Sequence, residues 1–217
     1  MLETDLSLND MMFLARGAGV TLLITAISVA GGTLLGIIFG VARMNLGRVV
    51  SGLLAVILDV FRSVPLLIQL ILANAFQAIA GLGLQPFTTA CVVLALYTAA
   101  LCSEIVRGAI GAVPTTTRRA SRSLGMTWTQ DMTYVVWPMA LRVGLPSWIG
   151  LVLSVLKDSA LVFWLGIIEL LRSSQILITR LQEPMTILLI AGAIYFIISF
   201  PIARLGGHLE RKWREND

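Results

Sequence analysis

Three stretches of this chain contain no Asp, Glu, Lys or Arg: residues 17–42, 63–103 and 184–203, with lengths of 26, 41 and 20 residues. A helix crosses the hydrocarbon core of a bilayer with roughly 20 mostly apolar residues. No water reaches backbone N–H and C=O groups in that core, so each such run must bond within itself as a helix. An all-α integral membrane protein is the fold these runs dictate. Composition agrees: charged residues make up 13% of the 217-residue chain, about half of what a soluble domain carries.

The 41-residue run is too long for one helix, and AGLGLQP at 80–86 supplies the glycines and proline of a tight turn inside it. Five spans result, at about 18–41, 58–80, 87–110, 145–166 and 184–204, in a single transmembrane domain over 1–217. Sorting the sixteen basic residues orients them. One set of loops holds eleven: Arg43, Arg48, Arg107, Arg118, Arg119, Arg122, Arg142, Arg204, Arg211, Lys212 and Arg214. The other set holds three, Arg16, Arg172 and Arg180, while Arg62 and Lys157 lie in or beside spans. Loops rich in Lys and Arg stay inside, so the N-terminus is expected outside and the C-terminus in the cytoplasm. The basic excess then reflects this asymmetry beside membrane lipid, and no nucleic-acid partner is expected. The acidic opening MLETDLSLND lacks the basic-then-apolar order of a cleaved leader.

Other features are read structurally. Gly32, Gly36 and Gly40 recur every four residues in span 1, a spacing that lets a second helix approach closely. Cys91 and Cys102 are eleven residues apart on one span, about 16 Å along a helix and too far to bridge. His208 is the single histidine, so no metal site is expected.

Between spans 3 and 4, residues 113–138 form a polar elbow. VPTTTRRASRSLGM reads as a short helix started by proline and ended at Gly125. TWTQDMTYVVWP reads as a second short helix closed by Pro138. Arg118 and Arg122 are four apart and share a face.

The order of motifs here resembles the inner-membrane permease subunits of ABC importers for polar amino acids, the histidine, glutamine and arginine type. Glu104, Arg107 and Gly108 in SEIVRGAIGAVP match that family's Glu-Ile-Val-Arg-Gly-Gly-Ile stretch before a proline. Ala120, Leu124, Gly125 and Pro138 match its EAA motif, and Lys157, Asp158 and Ser159 match its Leu-Lys-Asp-Ser segment. FRSVPLLIQL at 61–70 resembles its Phe-Arg-Gly-Thr-Pro-Leu-Leu stretch. The similarity runs from about 15 to 213. It implies that the elbow seats in a groove of a cytoplasmic ABC ATPase dimer, with Arg118, Arg119, Ala120, Arg122, Leu124 and Gly125 at the contact. It also implies a second permease, identical or homologous, and an extracytoplasmic amino-acid-binding protein, all in a bacterial inner membrane. Two positions depart from the motif. Ser121 stands where the family has its second alanine. Arg119 stands where the family has Glu, so either the ATPase carries a compensating acid or a different permease supplies the regular motif.

No Gly-x-x-x-x-Gly-Lys-Ser/Thr phosphate loop is present. This chain is therefore expected to be non-catalytic and without a cofactor of its own, with ATP and Mg held by the partner ATPase. Polar groups inside spans are candidate substrate contacts. Glu104 or Asp158 could accept from an amino acid's ammonium, and Lys157 or Gln69 could donate to its carboxylate. The structural alternative is a Lys157–Glu104 ion pair that fixes packing. Asp59 and Arg62 are read as a local pair. The competing functional class is a self-sufficient secondary transporter or channel in which Glu104, Lys157 and Asp158 carry an ion.

Overall fold

The computed structural model describes residues 6–214; the opening residues 1–5 and the tail 215–217 of the single-domain reading lie outside it. Among the described residues all regular structure is helical. Helix α1 (Leu8–Asn45) opens on a capping box in which Ser7 and Asp10 satisfy each other's backbone N–H groups. Asp10 also pairs with Arg180, tying the start of α1 to α8 (Leu170–Leu181). Gln85 caps α4 (Pro86–Gly111) with proline in its first turn, after a turn at Gly81 and Gly83 with φ of +66° and +61°. Both angles lie in the left-handed region that glycine enters without steric cost.

The glycine repeat is where α1 meets α4 most closely. A Cβ on Gly32 would sit 2.4 Å from the Thr98 Cβ, and one on Gly36 would sit 2.5 Å from the Cys102 Cβ. On Gly40 it would come within 2.9 Å of Ser103 O and Val106. Removing three side chains thus brings two backbones into van der Waals contact, the main source of helix association where lipid is as apolar as the helices themselves. Cys91 and Cys102 are buried free thiols on α4.

The single second span expected over 58–80 is corrected to two helices, α2 (Arg48–Ser63) and α3 (Leu66–Ile79), bent by 105°. Pro65 is the reason. It lacks the N–H of a helical ladder, and its ring forces the preceding Val64 out of the helical region, to φ −81° and ψ 130°. The Gln69 side chain then occupies the break: Nε2 donates to Phe61 O at 2.8 Å and to Val64 O at 2.7 Å. These carbonyls would otherwise lack partners. α2 is amphipathic, with Val49, Leu53, Val56, Ile57 and Val60 on its exposed apolar side.

After the elbow the chain runs through α6 (Trp128–Asp131) and a π turn (Met132–Val136) into α7 (Trp137–Asp158). The second elbow helix is therefore not closed by Pro138, and the helix that carries the fourth span begins before 145. The wider turn, in which Trp137 N–H bonds Met132 O, passes Pro138 into the first turn of α7, where a missing N–H costs least. A 3-10 segment (Ser159–Leu165) ends at Gly166, φ +81°. α9 (Pro184–Arg214) continues as helix past the end of the fifth span expected at 204. Among the described residues four continuous helical segments are long and apolar enough to cross a membrane, and five if α2 and α3 form one broken span.

Candidate functional site

The elbow consists of α5 (Thr115–Ser123) and α6 joined by a turn at Gly125. Gly125 has φ +81°, a left-handed angle that ends α5 at low cost. Thr127 and Gln130 form a reciprocal capping box that starts α6. Asp131 is fully buried beneath the turn. Ser121 Oγ donates to Asp131 Oδ1 at 2.5 Å, and Arg118 Nε lies 3.6 Å from Oδ2. Arg118 therefore reaches toward the buried carboxylate while still lining one depression with Arg122, the face the two were expected to share: a buried carboxylate requires a cation more than an exposed surface does. Arg119, Ala120, Arg122 and Leu124 are all exposed.

The four polar groups singled out in the spans are held in different ways. Glu104 on α4 collects three guanidiniums: Arg43 from α1, Arg62 from α2 at 3.1 Å, and Arg107 one turn along at 2.7 Å. Asp59 contacts the same Nη1 of Arg62 at 3.1 Å, as the local pairing predicted. Lys157 is not a partner of Glu104; among the described residues Glu104 is paired by arginines alone. Gln69 has both amide hydrogens committed to carbonyls. No hydrogen remains for a ligand carboxylate, the contact expected of it, whereas its Oε1 is buried and unpartnered. Asp158 ends α7, accepts from Ser154 Oγ at 3.4 Å and is half-buried, while the adjacent Lys157 is exposed. Neither forms an ion pair with another helix among the described residues.

A fifth group escaped sequence reasoning. Glu169 caps the start of α8 and is fully buried. It accepts from the backbone N–H of Leu171 at 2.8 Å and of Arg172 at 2.7 Å. Thr21 of α1 and Tyr195 of α9 donate to it at 3.5 and 3.4 Å. Burial pushes its carboxyl above the usual range despite those four donors. The available signal was an acid placed directly before the amphipathic run LLRSSQILITRL.

The sequence profile of the binding-protein-dependent transport system inner membrane component matches residues 32–215. The chain belongs to that family. This inner membrane component is similar to the nopaline transport system permease protein NocM of Agrobacterium fabrum, at 29% identity over 94% of this chain and 89% of that protein. It is also similar to the glutamine transport system permease protein GlnP of Escherichia coli K12, at 30% identity over 93% of each chain. Among solved structures it resembles a crystal structure of an amino acid ABC transporter with histidines. There the TM-score is 0.86 and the identity 30%, over 93% of this chain and 94% of the other. The component is thus an ABC transporter permease with the fold of that structure.

Proposed function

We propose that this permease moves a polar amino acid into the cytoplasm of a bacterium as one subunit of an ABC importer. The observation that carries this reading is the elbow: a polar two-helix corner, built around buried Asp131, set between long apolar helices. A self-sufficient channel or secondary transporter has little use for such a corner, and the relatives are named as permeases of nopaline and glutamine transport systems. In this reading the N-terminus faces outward and the elbow lies in the cytoplasm, as the distribution of basic residues favours. A separate ATPase dimer binds ATP and Mg and docks on the elbow through Arg119, Ala120, Arg122, Leu124 and the turn at Gly125. A second permease completes the path, and an extracytoplasmic binding protein delivers substrate.

For the substrate we propose Gln69, Glu104, Lys157 and Asp158. Lys157 and Asp158 carry the opposite charges an amino acid's carboxylate and ammonium require. The free Oε1 of Gln69 suits it to accept rather than donate. Glu104 would act on substrate only after exchanging an arginine.

The test is uptake into proteoliposomes. The assembly isolated with this chain is reconstituted with ATP enclosed, and labelled glutamine, arginine and histidine are offered outside with the binding protein. Uptake that needs both ATP and the binding protein is expected. Uptake by the chain alone, driven by an ion gradient without ATP, would overturn the importer reading in favour of a secondary transporter.

A further inference from the structure

We infer that the elbow is a cationic plug for an acid-lined groove, with Arg119 and Arg122 as its pairing charges and Leu124 as its apolar anchor. The inference rests on the importer reading above and names the chemistry of the ATPase surface that this permease requires.

Charge is the first argument. Between Glu104 and Asp131 the chain carries four arginines, Arg107, Arg118, Arg119 and Arg122, and no acid. Asp131 offers no compensation at the surface, since it is fully buried and faces Ser121 and Arg118. The outer face of the elbow is therefore wholly positive. Arg119, Arg122 and the outer part of Arg118 line one shallow depression with Thr115. A planar guanidinium presents a fork of N–H donors that fits a carboxylate bidentately.

Shape is the second argument, and it separates a protein groove from anionic lipid. A helix that lies on a bilayer buries an apolar face among the acyl chains. α5, TTTRRASRS, has no apolar residue larger than Ala120. The exposed large apolar side chains of the elbow lie beyond α5: Leu124 at the tip, whose surface is 81% exposed, then Trp128 at 44% and Tyr134 at 71%. Leu124, the most exposed of the three, stands beside two arginines on a turn fixed by Gly125 and by the Thr127–Gln130 capping box, and has the form of an anchor with a charged rim. The burial of Asp131 beneath the turn makes that form rigid in the free chain, which lowers the ordering cost of docking.

The test uses the full chain, tagged and isolated with its ATPase from native membranes in detergent. Retention of the ATPase is followed by its hydrolysis of ATP as salt is raised from low ionic strength to roughly 1 M, where screening removes exposed charge pairs. Wild-type retention is expected to fall as salt rises. R119E/R122E should retain roughly tenfold less ATPase at low salt, and R119K/R122K should stay near wild type. L124A should weaken retention without altering its salt dependence. Replacing acids of the ATPase groove by lysine should restore retention of R119E/R122E. Thermal unfolding of R119E/R122E at the wild-type temperature shows that the elbow is intact, since neither side chain is buried. Salt-independent wild-type retention, or a double variant that holds the ATPase as wild type does, would overturn the inference while leaving the importer reading intact. So would an elbow whose charge reversal abolishes only flotation with phosphatidylglycerol vesicles. Recovery of no ATPase with the wild-type chain would remove both.

Discussion

Glu104 on α4 binds the guanidinium of Arg43, 61 positions earlier on α1, with only 25% and 10% of the two side chains exposed. The same carboxylate holds Arg62 at the end of α2 and Arg107 on its own helix. One acid therefore ties together three helices, including the short α2 that Pro65 turns away from α3. Its removal leaves three guanidiniums close together with only Asp59 to balance them.

E104A is accordingly expected to destabilise the chain by about 3 kcal/mol, the low end for breaking a buried pair because Glu104 is partly exposed. R107A should cost under about 1 kcal/mol, since Arg107 is half exposed and its pairing is local. Thermal unfolding in detergent separates the two. Equal losses would mean that Glu104 does not organise the junction.

The α1–α4 contact predicts opposite outcomes for two glycines of one helix. G36L must displace Cys102 and the Ala99 carbonyl, which a Cβ would approach to 2.5 and 3.0 Å. It should cost about 2 kcal/mol or more through overpacking. A Cβ at Gly19 would meet nothing within 4 Å, so G19A should be neutral or gain up to about 1 kcal/mol from helix propensity. Yield of folded protein and its melting temperature report both. A G36L chain as stable as wild type would show that the helices need not approach so closely.

The long helices and the elbow were legible in the sequence because their signals are local. Charge-free runs, the glycine repeat and the Gly125 turn each lie within a few residues of the structure they specify. The α2–α3 break was less legible although Pro65 is visible, because apolar residues continue on both sides and hydropathy does not register a bend. Pairings across helices were illegible. Nothing near Glu104 indicates that Arg43 is its partner, and nothing near Asp131 indicates that Arg118 would turn toward it. Charge counting treats each arginine as a surface cation, whereas burial of one carboxylate decides which of them turns inward.

That distinction separates neighbouring arginines in the elbow. R118A removes the cation nearest the buried Asp131 and leaves Ser121 as its hydrogen-bond donor. The expected cost is on the order of 2 kcal/mol, read as faster hydrogen exchange across α5 and α6. R119A changes a side chain on the outer face and should leave exchange unaltered. Identical exchange in both variants would show that Arg118 does not secure the elbow.

Glu169 supplies a pH dependence of stability. Its carboxyl faces Thr21 from α1, Tyr195 from α9 and the N–H groups of Leu171 and Arg172 from α8, with no ion pair among the described residues. Burial holds it above its ordinary 4.5, so the folded chain binds this proton more tightly than the unfolded chain. The stabilisation linked to the proton is complete below 4.5 and is lost as pH rises through the higher folded value. The melting temperature of the wild type should therefore fall across that window. E169Q cannot ionise and should flatten this part of the profile. It should also melt lower throughout, because its amide nitrogen replaces one of the two oxygens that receive the N–H groups of Leu171 and Arg172. A profile parallel to that of the wild type would assign the pH dependence to another group.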